Sequence, residues 1–271
     1  MGYLFDPGNW EWLGTSNNLR FLFEGLLVNV TIAVVAMLAS LIVGLFLALG
    51  RLSKNGLLKG VSGGWIDVWR NLPLIFIILY LFLALPSSIK SAYTDATDGW
   101  LPESLTNPQV IAAFIALVLY NSAVIAEIMR AGIQSLERGQ GEAAAALGLP
   151  YWKSMRLVIL PQGLRRMVPA TVSQLITLHK DTSLISIISV QELVANGGIV
   201  NNTSDNPFTG GTTPAPVLHV FIVVGAMFVA INLLLSRLSR RLEIRQQART
   251  GTTIDRATGL EDQVAAEADV A

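Results

Sequence analysis

Cysteine is absent from these 271 residues, so no disulfide, thiolate metal site or cysteine nucleophile can be built. His179 and His219 are the only histidines, too few for a typical zinc site. No Gly-x-x-x-x-Gly-Lys-Ser/Thr run is present, so the chain cannot cradle nucleotide phosphates in the P-loop manner. Gly-x-Ser-x-Gly and His-Glu-x-x-His are missing too, which removes those hydrolase chemistries. Charge is scarce: 14% of residues are Asp, Glu, Lys or Arg, against about a quarter in a soluble domain. The two signs balance to a formal net charge of zero, and no nucleic-acid partner is expected.

What fills the chain instead is apolar surface, 52% of residues with a mean hydropathy of +0.53. This is the composition of an all-α integral membrane protein. A bilayer crossing takes about 20 apolar residues. Gly25–Gly50 carries no charge, Asn71–Ile89 is a second charge-free run entered through Arg70 and broken near Pro86, and Ser104–Ala126 is a third. Met167–His179 is shorter, interrupted by Lys180 and Asp181 and resumed over Thr182–Val190; Pro214–Ser236 is the last. The expectation is about five transmembrane helices, the fourth irregular. Residues 1–24 mix Trp10, Trp12, Phe21 and Phe23 with Asp6, Glu11 and Glu24; this is a poor signal peptide and reads as an interfacial segment.

Lysine and arginine orient these spans. Arg51, Lys54 and Lys59 follow the first, six basic residues from Arg130 to Arg166 separate the third and fourth, and Arg237–Arg249 follows the last. The opposite loops hold only Lys90 between the second and third spans, and none from Val190 to Leu235. The positive-inside rule therefore predicts an N-out, C-in chain. The polar stretch 242–271 cannot bury enough surface to fold alone and reads as a disordered cytoplasmic tail.

Between the third and fourth spans lies a polar, alanine-rich island, Gly141–Pro161. Glu142–Leu147 are strong helix formers, Glu142 is expected in the first turn, and Gly148 with Pro150 ends the helix. Glu142-Ala143-Ala144, then Gly148, then Val158-Ile159-Leu160-Pro161 resembles the cytoplasmic EAA loop of permease subunits of bacterial ABC importers, with Val158 where isoleucine is usual. Further elements resemble the polar amino-acid branch, the histidine, glutamine, glutamate and arginine group. These are Arg70-Asn71-Leu72-Pro73-Leu74, the Asn121–Ser135 stretch with Glu127 and Arg130, and Lys180-Asp181-Thr182-Ser183-Leu184.

The resemblance covers residues 25–241 and implies a type I ABC importer transmembrane domain with a coupling loop at 139–161, placed in a prokaryotic inner membrane. It implies that Glu142, Ala143, Ala144, Gly148, Leu160 and Pro161 couple to a separate ATP-binding subunit, which would hold ATP and magnesium; no cofactor is expected in this chain. It also implies a second permease subunit, identical or related, an extracytoplasmic solute-binding protein, and a polar amino-acid substrate: glutamate, glutamine, aspartate or a basic one.

Ionisable groups at membrane depth are costly and are candidates for function. Lys180 and Asp181 are adjacent, so on a helix they point apart. They line a translocation pathway, or they tie the broken helix to its neighbours; packing is the leading reading, with Thr182 and Ser183 supplying hydrogen bonds for either. Glu127 and Arg130, three apart, read as a structural pair. Arg70 reads as a snorkelling interfacial cation and Asn121 as helix–helix glue. A stand-alone amino-acid channel or secondary transporter is the alternative, and an intramembrane enzyme has only Lys180 and Asp181 to work with.

Overall fold

The computed structural model describes residues 2–14, 16–136, 138–201 and 216–250, and every regular element among them is helical. A short α1 (Gly2–Phe5) and a 3-10 segment (Pro7–Gly14) lead into α2 (Ser16–Leu52). Then come α3 (Gly56–Asn71), α4 (Leu74–Ala84), α5 (Ser87–Thr97), α6 (Glu103–Thr106), α7 (Val110–Gln134) and α8 (Arg138–Ala146). A short α9 (Tyr151–Ser154) and a π-helical turn (Met155–Ile159) run into α10 (Leu160–Asp181). A 3-10 segment (Thr182–Ile188), α11 (Leu193–Asn201) and α12 (Val217–Thr250) complete the chain.

Among the described residues, helices α2, α7 and α12 are long and apolar enough to cross a membrane, and the count reaches five if the bent pairs Gly56–Asn71 with Leu74–Ala84 and Tyr151–Ile188 with Leu193–Asn201 are each one span. At 1.5 Å per residue α2 is about 55 Å long, well over the roughly 30 Å of bilayer hydrocarbon. It begins at Ser16, ahead of the charge-free run, because Phe21, Leu22 and Leu26 pack with Trp12 against Leu193, Val220 and Val224. Trp12 and Phe21 thus pack against α11 and α12, while Phe23 stays exposed. Helix α12 continues to Thr250, so residues 242–250 are helical and only 251–271 of the expected tail lie outside the described residues.

Helix α7 is the hub. Ala112, Ala113, Ala116, Leu117, Asn121, Ser122, Ala123 and Ala126 are all fully buried along it. Small side chains let neighbours approach closely, which is how membrane helices pack where lipid offers no hydrophobic drive. Helices α2, α3, α4 and α10 surround it, while Leu38, Ile42 and Phe46 of α2 and Val229, Leu233 and Leu234 of α12 remain exposed, facing away from the core.

The second span differs from its sequence reading. The helix starts at Gly56 and breaks at Leu72–Pro73, where α3 and α4 meet at 99°. Pro73 has no N–H to continue a ladder and holds its predecessor extended, so the break falls there. Helix α4 alone, 11 residues or about 16 Å, is too short to cross.

Candidate functional site

The loop between α7 and α10 is built on α8. Glu142 lies in its second turn, not its first, since Arg138-Gly139-Gln140 are already helical. Gly148 takes φ +73, a left-handed conformation that a β-carbon disfavours. There its N–H donates to Ala145 O at 2.9 Å and that of Leu149 to Ala144 O at 3.1 Å, the paired bonds of a Schellman cap. Helix α8 turns Ala144 inward, at 3% exposure, and presents Glu142, Ala143, Ala145 and Ala146 outward. Beside them stand Leu147, Trp152 and Leu157, exposed by 81%, 65% and 63%. The result is an alanine platform rimmed by large apolar side chains, with one carboxylate.

This platform is fastened to the bundle at its base. Gln162 Nε2 donates to Gln140 Oε1 at 3.2 Å, and Arg166 donates to Ser135 O at 2.6 Å, joining α10 to the start of α8 and the end of α7. Tyr151 OH donates to Leu52 O at 3.3 Å, and the Lys54 ammonium sits 5.1 Å over the Tyr151 ring, joining the loop to the end of α2. Leu160 and Pro161 belong to the first turn of α10, behind the platform. Pro161 does not end the helix: the Leu160 N–H reaches back to Met155 O in the π turn, so the helix widens and runs on through the proline. Above this base α7 and α10 almost touch. A β-carbon on Gly163 would lie 2.8 Å from Ile133 Cγ1 and 3.1 Å from Ile133 Cα.

Glu127, 15% exposed, gathers more partners than Arg130. Arg130 donates to it at 2.7 and 2.9 Å, Arg51 Nη1 stands at 3.2 Å and Arg70 Nη1 at 3.7 Å. Arg51 also bonds Asp67 at 2.9 Å. Arg70 is therefore paired rather than simply snorkelling. These contacts join α2, α3 and α7 at one end of the bundle.

At the break after α10, Lys180 is exposed and forms no ion pair among the described residues; Asp181 is half-buried beside it. Thr182 OH donates to His179 O at 2.7 Å and Ser183 OH to Lys180 O at 2.8 Å, so both hydroxyls satisfy carbonyls in the last turn of α10. Asn121 receives Gln174 Nε2 at 2.8 Å and so links α7 to α10. The sequence reading missed a further knot. Asn29, Thr182 and Glu192 are all fully buried. Asn29 Nδ2 donates to Thr182 Oγ1 at 2.9 Å and to Glu192 Oε2 at 2.8 Å, while its Oδ1 accepts from Leu193 N at 3.0 Å. Glu192 Oε1 accepts from Ala195 N at 2.9 Å, capping α11. Helix α11 carries the chain to Asn201, and 202–215 lie outside the described residues. Among the described residues no cluster of side chains could hold a metal ion.

Residues 40–247 match the family described as "Binding-protein-dependent transport system inner membrane component". The chain belongs to that family. It is an inner-membrane ABC permease with the fold of a type I importer transmembrane domain. The probable glutamine ABC transporter permease protein GlnP of Bacillus subtilis (strain 168) is 36% identical over 233 residues, 86% of this chain and 96% of that protein. The glutamate/aspartate import permease protein GltK of Escherichia coli O157:H7 is 32% identical over 231 residues, 85% of this permease and 97% of its relative. Among solved structures, an amino acid ABC transporter crystallised with histidines superposes with a TM-score of 0.70 at 26% identity, covering 86% of this permease and 98% of that chain.

Proposed function

We propose that this permease carries polar amino acids of the glutamine, glutamate and aspartate class inward, driven by ATP hydrolysis on a separate subunit docked on α8. The observation that carries the reading is the exposed, Schellman-capped platform of Glu142–Gly148 with its apolar rim, tied at its base to α2, α7 and α10. An apolar platform of this size on a membrane protein's polar end is stable when a partner covers it. The orientation is N-out and C-in, supported by the basic residues that cluster on the α8 side. The loop 139–161 is the coupling element of a transmembrane domain spanning residues 25–241, a second permease subunit completes the pathway, and a solute-binding protein delivers substrate from outside. ATP and magnesium belong to the ATPase; this chain contributes no catalytic group to hydrolysis.

The mechanism follows from rigidity. When the two ATPase subunits close, α8 moves with them. Its bond from Gln162, with Arg166 holding α10 to Ser135 O at the end of α7, passes that motion to α10, about 33 Å long, which ends at the break holding Lys180 and Asp181. The bundle then tilts between inward-open and outward-open packings as a two-state element. We infer a substrate-carboxylate contact for Lys180, a role supported by its lack of an ion pair among the described residues, while Asp181 and the Thr182 and Ser183 hydroxyls shape the break.

The test is reconstitution of this permease with the ATPase and binding protein encoded beside it. Uptake of labelled glutamine or glutamate is expected only with ATP present, and Glu142→Arg abolishes it while the chain still inserts. Uptake by the chain alone would instead establish a channel or secondary transporter.

A further inference from the structure

At the α8 end of the bundle a cavity of about 420 Å³ opens between the end of α2, the start of α3 and the end of α7, lined by Arg51, Leu52, Ser53, Lys59, Arg130 and Gln134. Its charged wall residues are all cations. Arg51 Nη1 is held by Asp67 and Glu127, and Arg130 gives Nε and Nη2 to Glu127 and Nη1 to Gln134 Oε1; both guanidinium planes are thereby fixed, with Nε and Nη2 of Arg51 and one N–H on each Nη of Arg130 left over. Lys59 forms no ion pair among the described residues and is exposed. Counting Arg70, four cations meet two carboxylates, an excess of two positive charges. Helix ends alone ask for less: the last turns of α2 and α7 are matched by Arg51 and Arg130, and Lys59, at the start of α3, serves neither. One prearranged guanidinium fork on Arg51, the remaining N–H groups of Arg130, the Lys59 ammonium, a hydroxyl and an amide N–H form a donor set that suits phosphate oxygens. The volume falls within the range of small-ligand sites.

We propose that this cavity binds a phosphate-bearing anion. In the orientation proposed above it opens at the cytoplasmic leaflet, where basic pockets between helices take anionic phospholipid headgroups. A soluble phosphate compound offers the same chemistry, and the experiment separates the two sources.

The full permease is purified, delipidated and titrated with phosphatidylglycerol or phosphatidylcholine, followed by native mass spectrometry and thermal shift. A parallel titration in lipid-free detergent uses inorganic phosphate. The variants are Lys59→Gln and, as a control, Lys54→Gln, whose ammonium stacks on Tyr151 outside the cavity. The expected result is preferential binding of phosphatidylglycerol that Lys59→Gln weakens about fivefold, one basic residue's share at a membrane surface, and Lys54→Gln does not. The same Lys59 dependence for inorganic phosphate without lipid preference would keep the site and assign it to a soluble anion. Binding of neither probe, or equal losses from both variants, would overturn the proposal and leave a charge cluster that only joins helices. These measurements need neither ATPase nor transport, so they stand or fall separately from the importer reading.

Discussion

Replacing Gly148 by alanine isolates one physical cause. A β-carbon at this position meets no atom of the chain within 4 Å, so crowding inside the permease is excluded. What remains is the backbone: φ is +73, and the left-handed region costs an L residue about 1–2 kcal/mol. That strain opposes the two capping bonds from Gly148 and Leu149. If the ATPase grips only the capped helix, its affinity for the nanodisc-embedded permease falls by at most roughly 5- to 30-fold, the factor that one or two kcal/mol represents. Gly148→Asn carries a larger side chain but tolerates the left-handed conformation, so it should retain most of the affinity. Surface-plasmon binding of the ATPase subunit to the three proteins reads this directly. Alanine binding as well as glycine would refute the capping argument. Asparagine failing as badly as alanine would move the cause from backbone conformation to a side chain intruding on the partner.

Other outcomes follow from the same contacts. Gly163→Leu forces a side chain into Ile133, and should lower stability by about 1–3 kcal/mol, seen as an earlier melt in detergent; an unchanged melt would mean α7 and α10 do not cross there. Glu192→Ala leaves Asn29 and the Ala195 N–H without their acceptor in a fully buried site, costing about 1–3 kcal/mol, whereas Glu192→Gln keeps a carbonyl acceptor and should cost less. Lys180→Gln should reduce uptake of anionic substrates with little change in melting, since no ion pair among the described residues is lost; a large melting shift with uptake intact would assign Lys180 to packing. Glu127→Gln weakens three arginine contacts at once and should destabilise the α2–α3–α7 junction, measured as faster proteolysis of the Arg51–Gly56 connection.

The readable parts of this chain are those where one local property dominates. Absence of charge over 20 or more residues marked α2, α7 and α12, because a bilayer demands it of the chain itself. The Glu142–Gly148 element was legible because its helix formers and its left-handed glycine are local signals. Helix α3 was not. Gly60, Gly63 and Gly64, with Lys59 and Asp67, read as connection rather than span. Its signal is amphipathic: Leu57, Val61, Trp65 and Val68 recur at helical spacing and are all exposed, while Ile66 on the other face is fully buried. The Asn29–Thr182–Glu192 knot was invisible for a different reason. Asn29 lies more than 150 positions from both Thr182 and Glu192, and no periodicity pairs residues at that distance. The Glu127–Arg130 pair was readable as a local i,i+3 contact, but Arg51 and Arg70 reach the same carboxylate only through the folded arrangement of α2 and α3.

The most direct test of the coupling claim is ATP-dependent uptake by proteoliposomes holding this permease, its ATPase and its liganded binding protein, compared between wild type and Glu142→Arg. Uptake is expected to stop without ATP, and the variant to assemble in the membrane yet neither bind the ATPase nor transport. Uptake that persists without ATPase, or is untouched by Glu142→Arg, would contradict it.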